Sequence, residues 1–566
     1  MLSSTISSAE NASVSPENFT GLHPKPVVYG RHEMVVTNNP WASKTASQIL
    51  KQGGNAVDAA VAAAFVLGLA EPSSSGLGGG GFALTYEHSK KILKAYDGRE
   101  IAPQSATPDL FLDAKGQPMV FDEAMLSFKS VGVPSEVALL YTMHRLQGRL
   151  AWGKVVQPAI DLAAKGFPLS PRQHGLLDID RILLIKEPDV KVIYFAKDGS
   201  AKPINSIITN TAYAKSLTII AKNPRAFYTG QIARDIVAKV NQAAGHNVYR
   251  MSDLANYVPI VGKALCDDYR ADKICSIPFA SGGVTVLELM KIYANNYSGK
   301  KYSDPNWMYQ FFEASKLAYA DRNQYIADPK FVRQPLDGLL ANKYIMQRAS
   351  LVTNKALVTP VIPGVPMGID PQYAPDVSPK GHGTTSIAII DRQGNAVSMT
   401  LTIEHQFGSH LFVDGFFLNN ELTDFSFSPA NQQGKPVANR VEPLKRPRSA
   451  IAPAMVFNKS GDLIAISGSP GGNQIICYVA KNLIQMLDFG RNPGESSASG
   501  NLCAVNATPN IEAGSELAGF VTELNHKGEE VAPAELPSGA VNIKYAPQGG
   551  WYGAADPRRE GRAIGH

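Results

Sequence analysis

Residues 384–403 constrain the fold more than any other stretch of this 566-residue chain. Residues 386–391 alternate as a strand, Asp391-Arg392-Gln393-Gly394 supplies a turn, and 395–403 forms a second strand with Thr400 and Thr402 at alternate positions. The second strand therefore folds back beside the first and brings another hydroxyl near Thr384. The preceding Gly381-His382-Gly383 adds a chemical dimension. A cut after Gly383 would leave Thr384 with a hydroxyl and a free α-amine on one residue, the pairing that lets threonine act as a covalent catalyst. Without the cut, Thr384-Thr385 is a β-branched pair suited to a pleated sheet. Gly381 and Gly383 permit the bent backbone that attack by Thr384 on its own preceding carbonyl requires; they also suit a plain loop entering a strand. His382 would leave on the upstream piece, so it is not counted as a catalytic base.

Other short motifs follow in order along the chain. They include Gly53-Gly54-Asn55-Ala56-Val57-Asp58, Gly76-Leu77-Gly78-Gly79-Gly80-Gly81, Asp97-Gly98-Arg99-Glu100 and Ser281-Gly282-Gly283. Ala318-Tyr319-Ala320-Asp321-Arg322, Leu418-Asn419-Asn420-Glu421, Asp424-Phe425-Ser426, Lys445-Arg446-Pro447 and Gly468-Ser469-Pro470-Gly471-Gly472 complete the series. Taken with the Thr384 run, their order and spacing resemble the γ-glutamyltransferase (γ-glutamyltranspeptidase) family of N-terminal-nucleophile hydrolases, over nearly the whole chain after about residue 30.

The resemblance implies an α+β protein with the four-layer αββα fold of N-terminal-nucleophile hydrolases. It also implies self-cleavage between Gly383 and Thr384. The expected organisation is a flexible N-terminal segment over 1–30, a large subunit over 31–383 and a small subunit over 384–566, the two subunits from one precursor forming one interlocked catalytic unit. The implied activity is cleavage of γ-glutamyl amides such as glutathione through a γ-glutamyl-threonine ester, with transfer of the acyl group to water, an amine or a peptide. No cofactor is called for. A related cephalosporin or glutaryl acylase, a polyglutamate-processing amidase and a non-catalytic metabolite-binding protein are the competing expectations.

By the same resemblance, Thr384 is the nucleophile and Thr402 the hydroxyl that orients it, while Gly471 and Gly472 form the oxyanion hole. Backbone N–H groups suit that role where a strand over 463–467 turns into a helix over 474–487, because a helix start favours negative charge. Arg99 is expected to grip the substrate α-carboxylate and Asp424 its α-ammonium, with Glu421 beside it. Three departures leave the substrate open. Glu404 stands where an asparagine is usual, the family's serine pair appears as Ser449-Ala450, and the stretch between Asp424 and Ser449 is short, which suggests an open acceptor side. Arg448 is expected to face solvent.

Size alone would suggest three or four domains, yet no linker, charge block or repeat divides the chain. The net charge of +5, from 54 basic and 49 acidic residues, is a small excess without an aromatic-interleaved basic stripe, so nucleic acid is not an expected partner. The apolar run 59–70 is shorter than the roughly 20 residues a bilayer span needs, and reads as a buried helix capped by Asn55 and Asp58. Membrane insertion is not expected. The polar residues 1–20 lack a signal-peptide pattern; a periplasmic or secreted protein supplied without its leader is the expectation, and a cytoplasmic one fits the same segment.

Cys266 and Cys275 bracket a hairpin whose turn at Arg270-Ala271 would set them opposite each other, where they can bond or remain thiols. Cys477 and Cys503 read as buried thiols, and no cysteine or histidine spacing suggests a metal. Elsewhere, helix is expected over 43–70 and much of 136–380, including 285–295 and 307–321. Strands are expected over 82–87, 92–97 and again from 385 onward.

Overall fold

The computed structural model describes residues 21–369, 372–377 and 383–566. The hairpin is present as Thr384–Ile390 paired antiparallel with Ala396–Thr402, in a register that sets Thr384 opposite Thr402 and Ser386 opposite Thr400. Around it a seven-stranded antiparallel sheet runs in the order Arg562–Gly565, Met34–Thr37, Thr384–Ile390, Ala396–Thr402, Gly80–Glu87, Ile92–Gly98 and Ile260–Lys263. A second seven-stranded sheet runs Val28–Gly30, Trp551–Ala555, Val541–Tyr545, Leu463–Gly468, Ala454–Phe457, Asp272–Ser276 and Leu265–Tyr269. Strands from before and after Gly383 thus interleave in both sheets.

Alternation along the hairpin decides which core each side chain enters. Ile387 and Ile389 pack with Val397, Met399 and the helix Ala56–Ala70. Ala388 and Ile390 point the other way, into a core shared with Met455, Ile466 and Ile543 of the second sheet. Helices Gly283–Asn296, Asn306–Tyr325 and Ile475–Leu487 cover the outer side of that second sheet. The result is four layers, αββα, as the sequence motifs implied.

The helix Ala56–Ala70 is apolar around its whole circumference and buried along its whole length, which is what a central helix requires. Asn55 and Asp58 form a reciprocal capping box at its start. At its end Glu71 accepts a hydrogen bond from the Thr385 hydroxyl at 3.1 Å. Thr385 is therefore held on the helix side of the sheet, and its neighbour Thr384 faces the opposite side.

Several expectations are corrected. The helical region 43–70 is two helices, Pro40–Lys51 and Ala56–Ala70, broken at Gly53-Gly54. Among the described residues helix does not extend to 380; it stops at Ala349, and strands occupy 260–276. The segment 1–30 is not flexible throughout, because Val28–Gly30 is an edge strand paired with Trp551–Ala555; residues 1–20 lie outside the described residues. Cys266 and Cys275 are cross-strand partners, as the hairpin spacing implied, and of the two states left open they are bonded. Cys477 and Cys503 are buried but are not thiols. The first turn of Ile475–Leu487 faces the strand Leu502–Cys503, bringing their Cα atoms to 5.4 Å, and they form a second disulfide.

Candidate active site

Thr384 opens its strand at one wall of a pocket. Its register partner Thr402 donates its hydroxyl to the Gly383 carbonyl oxygen and accepts the Glu404 N–H at 2.7 Å. A hydroxyl on that carbonyl draws charge from the Gly383 carbonyl carbon. The strand is fixed from both sides: Asn38 accepts the Ser386 N–H at 2.6 Å, and Arg559 donates to the Thr384 carbonyl at 2.8 Å. One residue further along the same face, the Ser386 and Thr400 hydroxyls meet at 2.9 Å. Gly381 and His382 lie outside the described residues.

The opposite wall is ionic. Arg99, 1% exposed, donates through Nη1 to Glu421 and through Nη2 to Asp424, while Nε reaches the Pro447 carbonyl at 3.2 Å. Arg99 is placed there by the end of the strand Ile92–Gly98, and the two carboxylates by a single turn of 3₁₀ helix, Glu421–Asp424. Glu404 accepts from the Asn420 side chain and has a backbone φ of 78°, a left-handed conformation that non-glycine residues seldom adopt. The three acids Glu404, Glu421 and Asp424 all line the pocket with Thr384 and Thr402.

The glycine loop forms the third side. Strand Leu463–Gly468 of the second sheet ends against the hairpin, and Gly471 and Gly472 turn the chain into the helix Ile475–Leu487. Gly471 has a φ of 134°, and a Cβ there would come within 2.3 Å of the Tyr478 ring, so only glycine fits. Gly472 and Asn473 line the pocket, and the Tyr319 hydroxyl donates to the Asn473 carbonyl, bracing the loop from a neighbouring helix.

Every sequence-derived site residue except Gly471 lines this one pocket, Ser449 included, and Gly471 is adjacent through Gly472. Two arginines join them. Arg448 does not face solvent; it is 4% exposed and paired with buried Asp376 at 3.0 Å. Arg322, present in the Ala318 to Arg322 motif but given no role, also lines the pocket. A charged residue within a family-like motif on an otherwise buried helix was the available signal for Arg322. Nothing local marks Arg448, Asn38 or Arg559, whose partners come from distant parts of the chain.

Two facing antiparallel sheets between helical layers, with a threonine opening the central strand, define an N-terminal-nucleophile hydrolase-type architecture. Within that class the chain belongs to the γ-glutamyltranspeptidase family, whose profile, "Gamma-glutamyltranspeptidase", matches residues 42–566. It is 32% identical over 557 residues to a glutathione hydrolase proenzyme of Bacillus subtilis (strain 168), covering 96% of this chain and 92% of that protein. Against the glutathione hydrolase proenzyme of Escherichia coli (strain K12) the identity is 33% over 577 residues, covering 99% and 96%. Among solved structures, a cephalosporin acylase from Bacillus halodurans is similar with a TM-score of 0.84 and 25% identity, over 98% of this chain and 99% of that one.

Proposed function

We propose that the protein is an autoprocessed γ-glutamyl hydrolase and transferase. The observation that carries this reading is the meeting of Thr384, Thr402 and the Arg99–Glu421–Asp424 cluster in one pocket. Maturation starts with Thr384 Oγ attacking the Gly383 carbonyl, whose oxygen accepts the Thr402 hydroxyl. The bond to nitrogen breaks in an N→O acyl shift, which frees the α-amine, and water hydrolyses the resulting ester to release the Gly383 carboxylate and the Thr384 hydroxyl. Pieces 31–383 and 384–566 stay together because their strands alternate within both sheets. The proenzyme names of the two glutathione hydrolases support this step.

In turnover the Thr384 amine takes the proton from Oγ as the oxygen attacks the donor amide. Charge builds on the carbonyl oxygen, where the Gly471 and Gly472 N–H groups serve as donors. The leaving amine departs protonated, leaving a γ-glutamyl-Thr384 ester that water or an amine such as an amino acid or peptide resolves. The acidic trio receives the α-ammonium. The arginine side receives the α-carboxylate. Each step draws on groups of the chain itself. Two disulfides support an oxidising compartment, periplasmic or extracellular.

The test is turnover of a γ-glutamyl anilide by protein whose denaturing mass shows pieces ending at Gly383 and starting at Thr384. Turnover by an uncut chain overturns the mechanism. Added glycylglycine should yield a new γ-glutamyl peptide if amines are accepted, and glutamate alone if only water is. The full-length likeness to a cephalosporin acylase, together with Ala450 in place of a serine, favours one second reading: a glutaryl-type acylase. Equal or better turnover of the matched glutaryl anilide selects it.

A further inference from the structure

Positions 137, 138, 141, 142 and 145 recur three or four residues apart, so on the helix Glu136–Gln147 they share one face. That face forms one side of a cavity of about 180 Å³, which shares no lining residue with the pocket around Thr384. Tyr141, Tyr228 and Tyr257 give the cavity aromatic walls, the rings of Tyr228 and Tyr257 lying stacked with centroids 6.3 Å apart. Arg145 and Arg225 are its charged residues, and no acidic side chain lines it. Arg225 donates to the Ala255 carbonyl at 3.0 Å, but neither arginine is paired with a carboxylate among the described residues. Buried Tyr228 accepts the Ala138 N–H at 2.9 Å through its hydroxyl, whose own proton has no acceptor among the described residues.

Size and charge together select the occupant. A cavity of about 150 Å³ takes a benzene ring, so this one has room for a six-membered ring with a small substituent. Two guanidinium groups without a carboxylate partner ask for a planar anion. The cavity also abuts the supports of Arg99. The Tyr257 hydroxyl donates to the Arg99 carbonyl at 2.8 Å. Arg446 donates to the Val258 carbonyl at 3.1 Å and pairs with Asp97 at 3.4 Å, two residues before Arg99. A molecule packed on Tyr257 and Val258 therefore bears on the residues that hold Arg99 in place.

We propose that this cavity is an effector site for a small aryl carboxylate. The ring lies among the three tyrosines, and Arg145 and Arg225 take the carboxylate at the mouth. By filling the space beside Tyr257 the ligand fixes the ring whose hydroxyl holds the Arg99 carbonyl. Arg99, and with it Glu421 and Asp424, is then held more firmly for the acyl donor, so occupancy tightens donor binding and leaves the chemical step at Thr384 unchanged.

Benzoate is the probe, with benzyl alcohol lacking the charge and acetate lacking the ring. Calorimetry on the intact protein should show one benzoate per chain with a Kd of about 0.1–1 mM, and the two controls at least about tenfold weaker. Arg145→Gln, at an exposed position, should weaken benzoate about tenfold or more, and Thr142→Phe should abolish binding by filling the cavity. No saturable binding to the wild type overturns the site. So does binding that survives both substitutions, because benzoate would then lie elsewhere, as in the pocket that Thr384 lines. Saturating benzoate should lower the anilide KM about fivefold with kcat within about twofold, whereas Tyr257→Phe should bind benzoate within about threefold of wild type and show no change in KM. A KM that does not respond in the wild type, or that still responds in Tyr257→Phe or Thr142→Phe, overturns the link to Arg99. Binding is read without turnover, and the KM measurement uses whichever of the γ-glutamyl and glutaryl anilides the wild type turns over, so failure of the γ-glutamyl reading is seen separately.

Discussion

Arg99 beside Thr384 and Arg558 in the C-terminal region are each buried against two carboxylates, yet one cluster is closed and the other is not. Arg558 donates to both oxygens of Glu512, to Asp556 at 3.1 Å and to the carbonyls of Ser497 and Ser499. Asp556 also receives the Ser538 hydroxyl and the Ala540 N–H. Burial pushes the Asp556 carboxyl up, but Arg558 and these donors outweigh it and hold it below its ordinary value. Around Arg99 the accounting is incomplete: Glu421 Oε2 and Arg322 Nε have no partner, and Glu404 keeps an unfavourable backbone conformation. A buried network in which every donor is used stabilises a fold. One with open donors and acceptors in the pocket that Thr384 lines leaves polar atoms for a ligand to satisfy.

The strongest way to break this contrast is Thr384→Ala. It should leave the chain uncut and lower kcat by at least about 10³-fold, with the thermal midpoint essentially unmoved. A cut and active variant, seen by denaturing mass and anilide turnover, would remove Thr384 from the mechanism. Glu512→Ala should do the reverse. Stranding Arg558 should cost about 3–5 kcal/mol in chemical denaturation while donor preference stays the same; a change in preference at unchanged stability would erase the distinction between the clusters.

Asp424→Asn should lower kcat/KM for a γ-glutamyl anilide by about 10–100-fold and hurt the glutaryl anilide less, because only the former offers an ammonium. A parallel loss on both donors would instead make Asp424 a support for Arg99.

The mildest effect concerns pH. Burial raises the carboxyls of Glu100, just behind Arg99, and Glu136 to about 8; Arg99 partly offsets the rise at Glu100, and Glu100 adds to it at Glu136. The folded state therefore keeps protons that the unfolded chain gives up near 4.5, so stability should fall as pH rises from about 4.5 to about 8 and then level off. Glu136→Gln should flatten that slope in denaturation measured across pH, and an unchanged slope would assign it to other groups.

Much of the site was legible because its signals are local. Alternation over 384–403 sets the hairpin, the turn length sets the register, and together they put Thr402 opposite Thr384. The glycines before Ile475 mark a strand-to-helix turn that a side chain at Gly471 would block. The Arg270 turn pairs Cys266 with Cys275 in the same way. Arg99, Glu421 and Asp424 were found through motif order, since nothing within any one of their segments says that they meet.

The remainder depends on segments far apart in the chain. Arg448 looks like a surface residue until Asp376 and the Arg322 carbonyl are packed around it, and Cys477 looks like a lone thiol until Leu502–Cys503 is laid beside its helix. Local periodicity determined the strand that Thr384 opens, its partner and the capped central helix, because side-chain direction in a strand or helix repeats over a few residues. Only the tertiary structure decided which buried charges are matched by partners and which are left open, because the cost of a buried charge is set by every group that surrounds it.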